Sequence, residues 1–266
     1  METLSTVVTL PERSRGLSQG NSIEVAAGRY MVSLARTREE LDAALKLRFE
    51  VFNLELGEGL DASFRTGRDR DEFDDTCDHL IATDQTNGKI IGTYRLRTIE
   101  MAKSSNGFYS AGEFDLACLP RVVLQDSLEL GRACIAQSHR NRQVLFLLWK
   151  AIARYLDARQ KRFLFGCCSL TSQESGDGNQ LWRQLKNGGH MHPTIFVTPN
   201  NGFECDASPV SSTEIKIPRL FKTYLSVGAK VCSPPAIDRT FKTIDFLVFL
   251  DIESMDSVTR SIYFAR

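Results

Sequence analysis

The sequence predicts an α/β (α+β) fold, and three observations support this. Segments with strand and helix patterns alternate along the chain. The segment from Arg162 to Leu170 (RFLFGCCSL) is apolar on both faces, as a central strand would be. The segment before it, from about Arg142 to Arg159, has a broad apolar stripe at helical spacing, which could cover a sheet. The length of 266 residues fits one or two domains, of which one is favoured.

The first predicted elements are a strand and a helix. Tyr30 to Ala35 (YMVSLA) has the composition of a strand, and Thr37 is a suitable N-cap for a helix from Arg38 to about Leu56. Four apolar residues share one face of this helix: Leu41, Leu45, Phe52 and Leu56. Residues 1–28 are rich in Ser, Thr, Gly and charge without a sustained period, and are predicted to be a flexible N-terminal segment.

The middle of the chain predicts a hairpin followed by a strand and the long helix. Leu80–Thr83 and Lys89–Arg97 (KIIGTYRLR) flank Asn87-Gly88, a strong hairpin turn signal. A further strand, Ser127–Ala136 (SLELGRACIA), leads into the helix that begins near Arg142. These strands, with the one that starts at Arg162, are expected to form the centre of the sheet.

The last third predicts one irregular segment and three short elements. Residues 171–212 show no regular pattern and are interpreted as an insertion or a lid, because structureless loops of this length are uncommon unless functional. A helix at Pro218–Gly228 and strands at Ala236–Arg239 and Asp245–Asp251 follow. Residues 29–266 are therefore predicted to be a single domain.

Composition excludes several classes of protein. The 33 Lys and Arg balance 33 Asp and Glu, so bulk charge gives no reason to expect a nucleic-acid partner. No apolar stretch reaches the roughly 20 residues of a membrane helix, and the N-terminus lacks the pattern of a signal peptide. Seven cysteines without a CxxC pair suggest free thiols in a reducing compartment. We expect a cytoplasmic protein.

Several catalytic and cofactor motifs are absent. The chain has no GxxxxGK[ST], no GxSxG and no GxGxxG. It therefore lacks the main sequence motifs of phosphate-loop enzymes, α/β-hydrolases and Rossmann dehydrogenases. His190 and His192 would point the same way in an extended segment, but no third ligand is evident. No metal site is predicted.

Charged residues stand out in and after the first helix. Arg48 lies on the apolar face of that helix, where it needs an acidic partner unless its head reaches solvent. Asp69, Asp71 and Asp74 form a D-x-D-x-x-D run. These carboxylates either hold a cationic substrate group, or pair with Arg48 and Arg95, or form an ordinary solvated loop.

Two more charges interrupt the strand Ser127–Ala136. Glu129 and Arg132 are three apart, so they face opposite sides of a regular strand and share a site only if the strand bulges near Gly131. Burial requires each to have a partner, because an unpaired buried charge is very costly. A purely structural ion pair with another element is the alternative.

These residues form an ordered set. Arg48 and Phe52 in LRFEVF, the run Asp69–Asp74, Arg95 in GTYRLR and Glu129–Arg132 (ELGR) occur in the order found in acyl-homoserine-lactone synthases, which the set resembles. Those enzymes belong to the Gcn5-related N-acyltransferase (GNAT) superfamily. The resemblance implies a GNAT fold, with a central mixed twisted sheet flanked by helices and two strands that splay apart near the bulge.

Longer segments resemble a sister family, the ornithine Nα-acyltransferases, often labelled hemolysin-like. They are ELGRACIAQSHRNRQVLFLLWKAIARYL, FLFGCCSL and IPRLFKTYLSVGAKVCSPPAIDRTFKTIDFLVFLDI, and the resemblance covers about residues 30–251. It implies transfer of a 3-hydroxyacyl chain from acyl carrier protein to the α-amine of ornithine. The product would be lyso-ornithine lipid, in the first step of ornithine lipid synthesis.

The resemblance also implies roles for individual residues. Catalysis falls to Glu129, as general base directly or through a water, and to Arg132. The implied substrate-binding residues are Arg48, Phe52, Asp69, Asp71, Asp74 and Arg95. Asp71 and Asp74 would hold the cationic end of the acceptor. Arg48 and Arg132 would orient the acidic loop or the acceptor carboxylate, and Arg95 would complete the ion network.

The sequence departs from the superfamily at its pyrophosphate loop. The segment SHRNRQVL, residues 138–145, contains no glycine, so backbone amides cannot approach a pyrophosphate in the usual way. The phosphopantetheine of acyl carrier protein is therefore favoured over coenzyme A as donor. Basic residues are expected to face this carrier or the inner membrane surface, unless they form a solvated rim: Arg140, Arg142, Arg159, Lys161 and Arg162.

Two alternatives remain open. The same chemistry could act on another acceptor: glycine, another amino acid, or S-adenosylmethionine as in a quorum-signal synthase. A non-catalytic module that binds an acyl ligand or the carrier protein would keep the fold. The charges around Glu129 argue against the second alternative, because a pure binding fold does not need to bury them.

Overall fold

The computed structural model describes residues 23–207 and 214–264. Its helices are α1 (Arg38–Phe49), α2 (Ile99–Lys103), α3 (Arg121–Gln125), α4 (Arg142–Arg159), α5 (Ser175–Asn187), α6 (Arg219–Ser226) and α7 (Ser257–Phe264). Thr37 caps α1 by accepting a hydrogen bond from the Glu40 backbone amide, and α1 continues into a π-helix at Glu50–Glu55. Together they match the predicted helix.

Nine strands form one mixed sheet within the described residues. They are β1 (Val25–Ala27), β2 (Tyr30–Leu34), β3 (Asp78–Asp84), β4 (Lys89–Thr98), β5 (Ser127–Ile135), β6 (Phe163–Leu170), β7 (Lys230–Val231), β8 (Ala236–Asp238) and β9 (Thr243–Asp251). The order is β1-β2-β3-β4-β5-β6-β9-β7, and β8 also pairs with β9. β5 and β6 are parallel, whereas the other paired strands are antiparallel.

The two faces of the sheet have different neighbours. α4, which Asn141 caps, packs against β1 to β4, and its stripe around Leu148, Trp149 and Ile152 is buried in the main core. α1 packs on the other face, against β4 and β5. We call these the α4 face and the α1 face. No helix of the described residues is long and apolar enough to cross a membrane.

The structure corrects two sequence predictions. Residues 23–28 were assigned to the flexible N-terminal segment, but Ile23 is buried and β1 pairs with β2. Three residues are too few to show a strand period. The stretch 171–212 contains α5, whose start, SGDGN, is poor in helix formers, and whose Leu181 and Leu185 are buried in the main core. Residues 1–22 and 208–213 lie outside the described residues.

Candidate active site

β5 and β6 separate partway along their length. Their parallel pairing runs from Ser127 to Glu129 on β5 and from Phe163 to Phe165 on β6. Beyond it, a cavity of about 590 Å³ is lined by both strands, a volume within the usual range for small-molecule sites. The splay expected from the resemblance is confirmed, and it opens a passage through the sheet.

Gly166 lies where the two strands part. A Cβ atom at this position would lie 2.2 Å from the carbonyl oxygen of Leu130. We therefore expect Gly166→Ala to push β6 away from β5 and lower the free energy of unfolding by about 1–3 kcal/mol. Denaturant unfolding of the variant measures this, with Gly112→Ala as control, since a Cβ there meets nothing within 4 Å. Equal stability of Gly166→Ala and the parent would contradict the close approach.

The bulge that Glu129 and Arg132 need to share a site is present, one residue after Gly131. Thr93 pairs with Cys134 and Arg95 with Gly131, so Tyr94 of β4 faces two residues of β5, Arg132 and Ala133. Arg132 has φ +46°, a left-handed conformation that costs roughly 1–2 kcal/mol for a non-glycine residue. The bulge brings its side chain to the same side as Glu129.

Arginines and aspartates from four segments meet on the α1 face. Arg48 Nε donates to Asp69 Oδ2 at 2.7 Å, and its Nη1 donates to Asp74 Oδ1 at 2.7 Å. Arg95 Nη1 donates to Asp71 Oδ1 at 2.5 Å and to Asp74 Oδ1 at 3.0 Å. The pairing of Arg48 and Arg95 with these aspartates, one of the alternatives from the sequence, is confirmed.

Arg132 joins the same cluster from the bulge. Its Nη2 donates to Asp71 Oδ2 at 3.0 Å, and its guanidinium lies 4.1 Å from the centre of the Phe241 ring. The cluster thus contains three arginines and three aspartates: Arg48, Arg95, Arg132, Asp69, Asp71 and Asp74. Burial alone would raise the pKa of Asp74, but Arg48 and Arg95 hold it well below its usual value. With three guanidinium groups and three carboxylates, the cluster has a formal charge of zero.

This arrangement bears on the role implied for two aspartates. Asp71 and Asp74 were expected to hold the cationic end of the acceptor. Asp74 accepts four hydrogen bonds, from Arg48, Arg95 and the Asp71 amide, and is only 1% exposed. Asp71 accepts three and keeps about one acceptor direction, so its contact with the acceptor stays a prediction. No side of Asp74 is left for a substrate cation, so the aspartates position Arg95 and Arg132, which line the cavity. Phe52 also lines the cavity, and its substrate contact stays a prediction.

Glu129 lies at the end of the β5–β6 pairing and is buried. Its Oε1 accepts hydrogen bonds from the Ser110 backbone amide and hydroxyl, both at 2.7 Å, and its Oε2 accepts one from the Tyr109 amide at 3.0 Å. A carboxylate has about four acceptor directions. Glu129, which lines the cavity, therefore keeps about one direction for a substrate proton or a water.

A second group of acids lies on the α1 face, and sequence reasoning missed it. The carboxylates of Glu113, Asp238 and Asp245 each place one oxygen within 4.8 Å of the others. Glu58, held by the Thr171 hydroxyl, lines the cavity with Asp245. All four are buried. These four acids are far apart in sequence and belong to no motif. The one sequence feature that could have indicated the group is Asp245, an acid within the otherwise apolar strand segment TIDFLVFL.

Burial changes the acidity of this second group. It raises the pKa of Glu58 to about 7, with a further contribution from Asp245, against the hydrogen bond from Thr171. It raises the pKa of Asp245 to about 6 and that of Glu113 well above its usual value. Such shifts often mark functional sites.

The segment without glycine forms the start of α4. The Asn141 side chain accepts a hydrogen bond from the Val144 amide, and Arg140, Asn141 and Arg142 line the mouth of the cavity. The helix N-terminus that binds anions is thus present, although one of its amides is used by the cap.

Comparison with known proteins identifies the family. A model of the acetyltransferase (GNAT) domain matches residues 47–150. The chain is 31% identical over 263 residues to an L-ornithine Nα-acyltransferase of Agrobacterium fabrum, covering 93% of this chain and 89% of that protein. The chain belongs to the L-ornithine Nα-acyltransferase family. An L-ornithine Nα-acyltransferase of Brucella abortus is 32% identical over 96% of this chain and 97% of its own length.

Membership of the L-ornithine Nα-acyltransferase family confirms that the protein is an acyltransferase of the GNAT type. The solved structure of FeeM, an N-acyl amino acid synthase from uncultured soil microbes, superposes with a TM-score of 0.52 at 10% identity. It covers 86% of this chain and 95% of FeeM. This likeness supports the fold that the sequence predicted.

The two histidines considered as metal ligands lie elsewhere. His192 Nδ1 accepts hydrogen bonds from the Thr194 and Ile195 amides at 3.2 and 2.9 Å, so this ring shapes its own loop. Among the described residues, the group of potential metal ligands close enough together is Glu113, Asp238 and Asp245, which includes neither histidine.

Proposed function

We propose that the protein transfers a 3-hydroxyacyl chain from acyl carrier protein to the α-amine of L-ornithine. The product is lyso-ornithine lipid, and the reaction is the first step of ornithine lipid synthesis. The observation that carries this proposal is the identity of 31% and 32% with L-ornithine Nα-acyltransferases over nearly the whole length of each chain. The cavity between β5 and β6 supports it.

The α4 face of the cavity suits an acyl chain. Its apolar lining includes Leu130, Leu145, Trp149, Leu164, Val248 and Leu250. Each methylene that leaves water for this lining contributes about 0.8 kcal/mol to binding. The thioester then lies at the point where the strands part, with the acceptor on the α1 face.

The start of α4 suits the single phosphate of phosphopantetheine. Arg140 and Arg142 flank the N-terminus of the helix, where an anion is favoured by the helix dipole. A coenzyme A pyrophosphate requires closer backbone approach, which glycine-free residues 138–145 do not favour. We therefore propose acyl carrier protein as the donor.

The chemistry is attack of a neutral amine on a thioester. The α-nitrogen forms a bond to the carbonyl carbon, the C–S bond breaks, the amine loses a proton and the thiolate gains one. We assign removal of the amine proton to the free acceptor direction of Glu129, directly or through a water. Arg132 lines the cavity, and we assign its guanidinium to the acceptor carboxylate.

The ion cluster holds Arg132 for this task. Its left-handed backbone is strained, and Asp71 and Asp69 fix the guanidinium from the far side. Arg48 and Arg95 in turn fix the aspartates. In this proposal Arg132 is the member of the ion cluster that meets the acceptor, while the others act through it.

Acyl transfer assays test the proposal. Thiol release is measured from 3-hydroxyacyl carrier protein and from the matching acyl coenzyme A, each with ornithine, glycine, other amino acids and S-adenosylmethionine. Ornithine-dependent release from the carrier protein, with the product mass of a lyso-ornithine lipid, is expected. Thiol release only with another amine would show that the acceptor is not ornithine. Release only from acyl coenzyme A would show that the donor is not the carrier protein. No release with any pair would favour a non-catalytic binding module.

Docking of the carrier protein or a membrane on the basic residues stays a prediction. Four of the five already pair with carboxylates: Arg140 with Glu55, Arg159 with Asp78, Lys161 with Glu100 and Arg162 with Asp251. The exposed Arg142 at the start of α4 is the most accessible to a carrier protein or to lipid headgroups of the inner membrane. A cytoplasmic location with peripheral membrane contact follows from the proposed amphiphilic product.

A further inference from the structure

The second acidic group forms no direct ion pair, and Arg132 acts on the pKa values of Glu113 and Asp245 only from a longer distance. Glu58, Glu113, Asp238 and Asp245 are each at most 6% exposed, and we call them the acidic end of the cavity. Glu58 and Asp245 line the cavity, and Glu113 and Asp238 lie next to Asp245. Within the described residues, no arginine, lysine or histidine nitrogen lies within 4.0 Å of any of these carboxylates. Four buried acids without a cation are costly, so the group is incomplete by itself.

The hydrogen bonds inside the group also indicate that it is incomplete. Asp238 Oδ1 accepts from the Thr240 and Phe241 amides at 2.8 Å, and Asp245 accepts from the hydroxyls of Ser169 and Thr243. Glu113 differs, because its Oε1 is buried and has no hydrogen-bond partner. Glu113 is only 3% exposed and its neighbours are acids, so Oε1 has neither water nor a neighbouring donor to satisfy it.

The position of the acidic end separates it from the acyl chain. Side chains alternate along paired strands, so Leu164 and Leu250 face α4, whereas Ser169 and its neighbour Asp245 face the other way. The cavity passes between the strands and reaches both sets. Its apolar and acidic ends therefore lie on opposite faces of the sheet, with the splayed strands between them.

We propose that the acidic end of the cavity binds the side-chain ammonium of the acceptor amino acid and selects acceptors that carry one. This inference rests on the proposed function and deepens it, because it assigns residues to acceptor choice. An ammonium has three donors and no acceptor, which suits the acceptor directions that remain on Asp245 and Glu58 at the cavity wall. Glu113, with its unpartnered Oε1, lies next to Asp245 and adds to the negative potential there. The acceptor's α-amine then lies towards the splay and Glu129.

A divalent metal ion fits this set less well. Asp238 accepts three hydrogen bonds, from two backbone amides and from the Tyr109 hydroxyl at 3.3 Å, so only about one acceptor direction is left for a metal ion. The raised pKa values of Glu58, Asp245 and Glu113 arise from burial and mutual repulsion. A bound ammonium would relieve both by supplying one positive charge and three hydrogen bonds.

The test compares ornithine with norvaline, which has the same carbon chain without the δ-amine. We expect the parent protein to prefer ornithine in kcat/KM. Asp245→Asn and Glu58→Gln should each lower the ratio of kcat/KM values, ornithine over norvaline, by about 10- to 100-fold, as for loss of a hydrogen bond to a charged group. Glu39→Gln, an exposed acid in the first turn of α1, is the control and should leave the ratio unchanged.

Each other outcome has a defined meaning. A ratio that stays at the parent value in both acidic variants would overturn the site. If Asp245→Asn does not fold, Glu58→Gln alone decides, because Glu58 lies in a loop outside the sheet. Loss of the preference in EDTA and its return with Mg²⁺ would identify a metal site and overturn the proposal. A parent protein that acylates norvaline or glycine but not ornithine would refute the proposed function, and this inference with it.

Discussion

Arg48→Met lowers the free energy of unfolding by about 3–5 kcal/mol, the cost of breaking a buried ion pair by removing one partner. Arg48 is fully buried, and it donates to both Asp69 and Asp74. Methionine fills much of the volume but removes the hydrogen-bond donor of Asp69, which keeps only its ion pair with Arg132. It leaves Asp74 with Arg95 and the Asp71 amide. Equilibrium denaturation in urea at neutral pH measures the loss.

The control lies in the same acidic run. Arg70 donates to Asp75 at 2.7 Å, but both side chains are more than half exposed. Exposed pairs contribute about 0–1 kcal/mol, so Arg70→Met should unfold close to the parent. Equal stabilities of Arg48→Met and Arg70→Met would mean that the cluster does not hold the α1 face together.

Glu129→Gln should lower kcat by about 10²- to 10⁴-fold, the contribution of a positioned general base. The amide keeps the shape of the side chain but cannot take the amine proton. The glutamine side-chain NH₂ would also face a donor of Tyr109 or Ser110, because the carboxylate it replaces accepts three hydrogen bonds there. The kcat and its pH profile are measured with saturating ornithine and acyl carrier protein.

Ser110→Ala distinguishes the role of Glu129 as a base from the role of the hydroxyl that holds it in place. It removes the hydroxyl that donates to Glu129 Oε1 and leaves the backbone donor in place. We expect a stability loss of about 1 kcal/mol and a pH profile like that of the parent. Full turnover by Glu129→Gln with an unchanged pH profile would eliminate Glu129 as the base.

The sequence predicted those features of the fold that have a local signal. The helix α4 was predicted from about Arg142 to Arg159, as observed, because its apolar stripe is long. The bulge in β5 was named as the condition under which charges three residues apart share a site, and the structure meets it. β1 was missed because three residues show no period, and α5 because its first turn resembles a loop.

The candidate site was predicted only where a motif exists. The arginines and aspartates form an ordered set in the chain, and all six meet in the structure. The acidic end has no such pattern, since Glu58, Glu113 and Asp245 come from a loop, a turn and a strand. Their proximity depends on the pairing of β6, β8 and β9, which sequence periodicity does not specify. The role of Asp74 was misjudged for the same reason, because its partners are not adjacent in sequence.

The most direct test of the central claim is the site of acylation on ornithine. The protein is incubated with 3-hydroxyacyl carrier protein and ornithine labelled with ¹⁵N at the α position only, and the product is examined by NMR and fragment masses. The structure predicts a labelled amide nitrogen and a free δ-amine, because the side-chain ammonium binds at the acidic end while the α-amine faces Glu129. A product acylated on the unlabelled δ-nitrogen, or no ornithine product at all, would contradict the account.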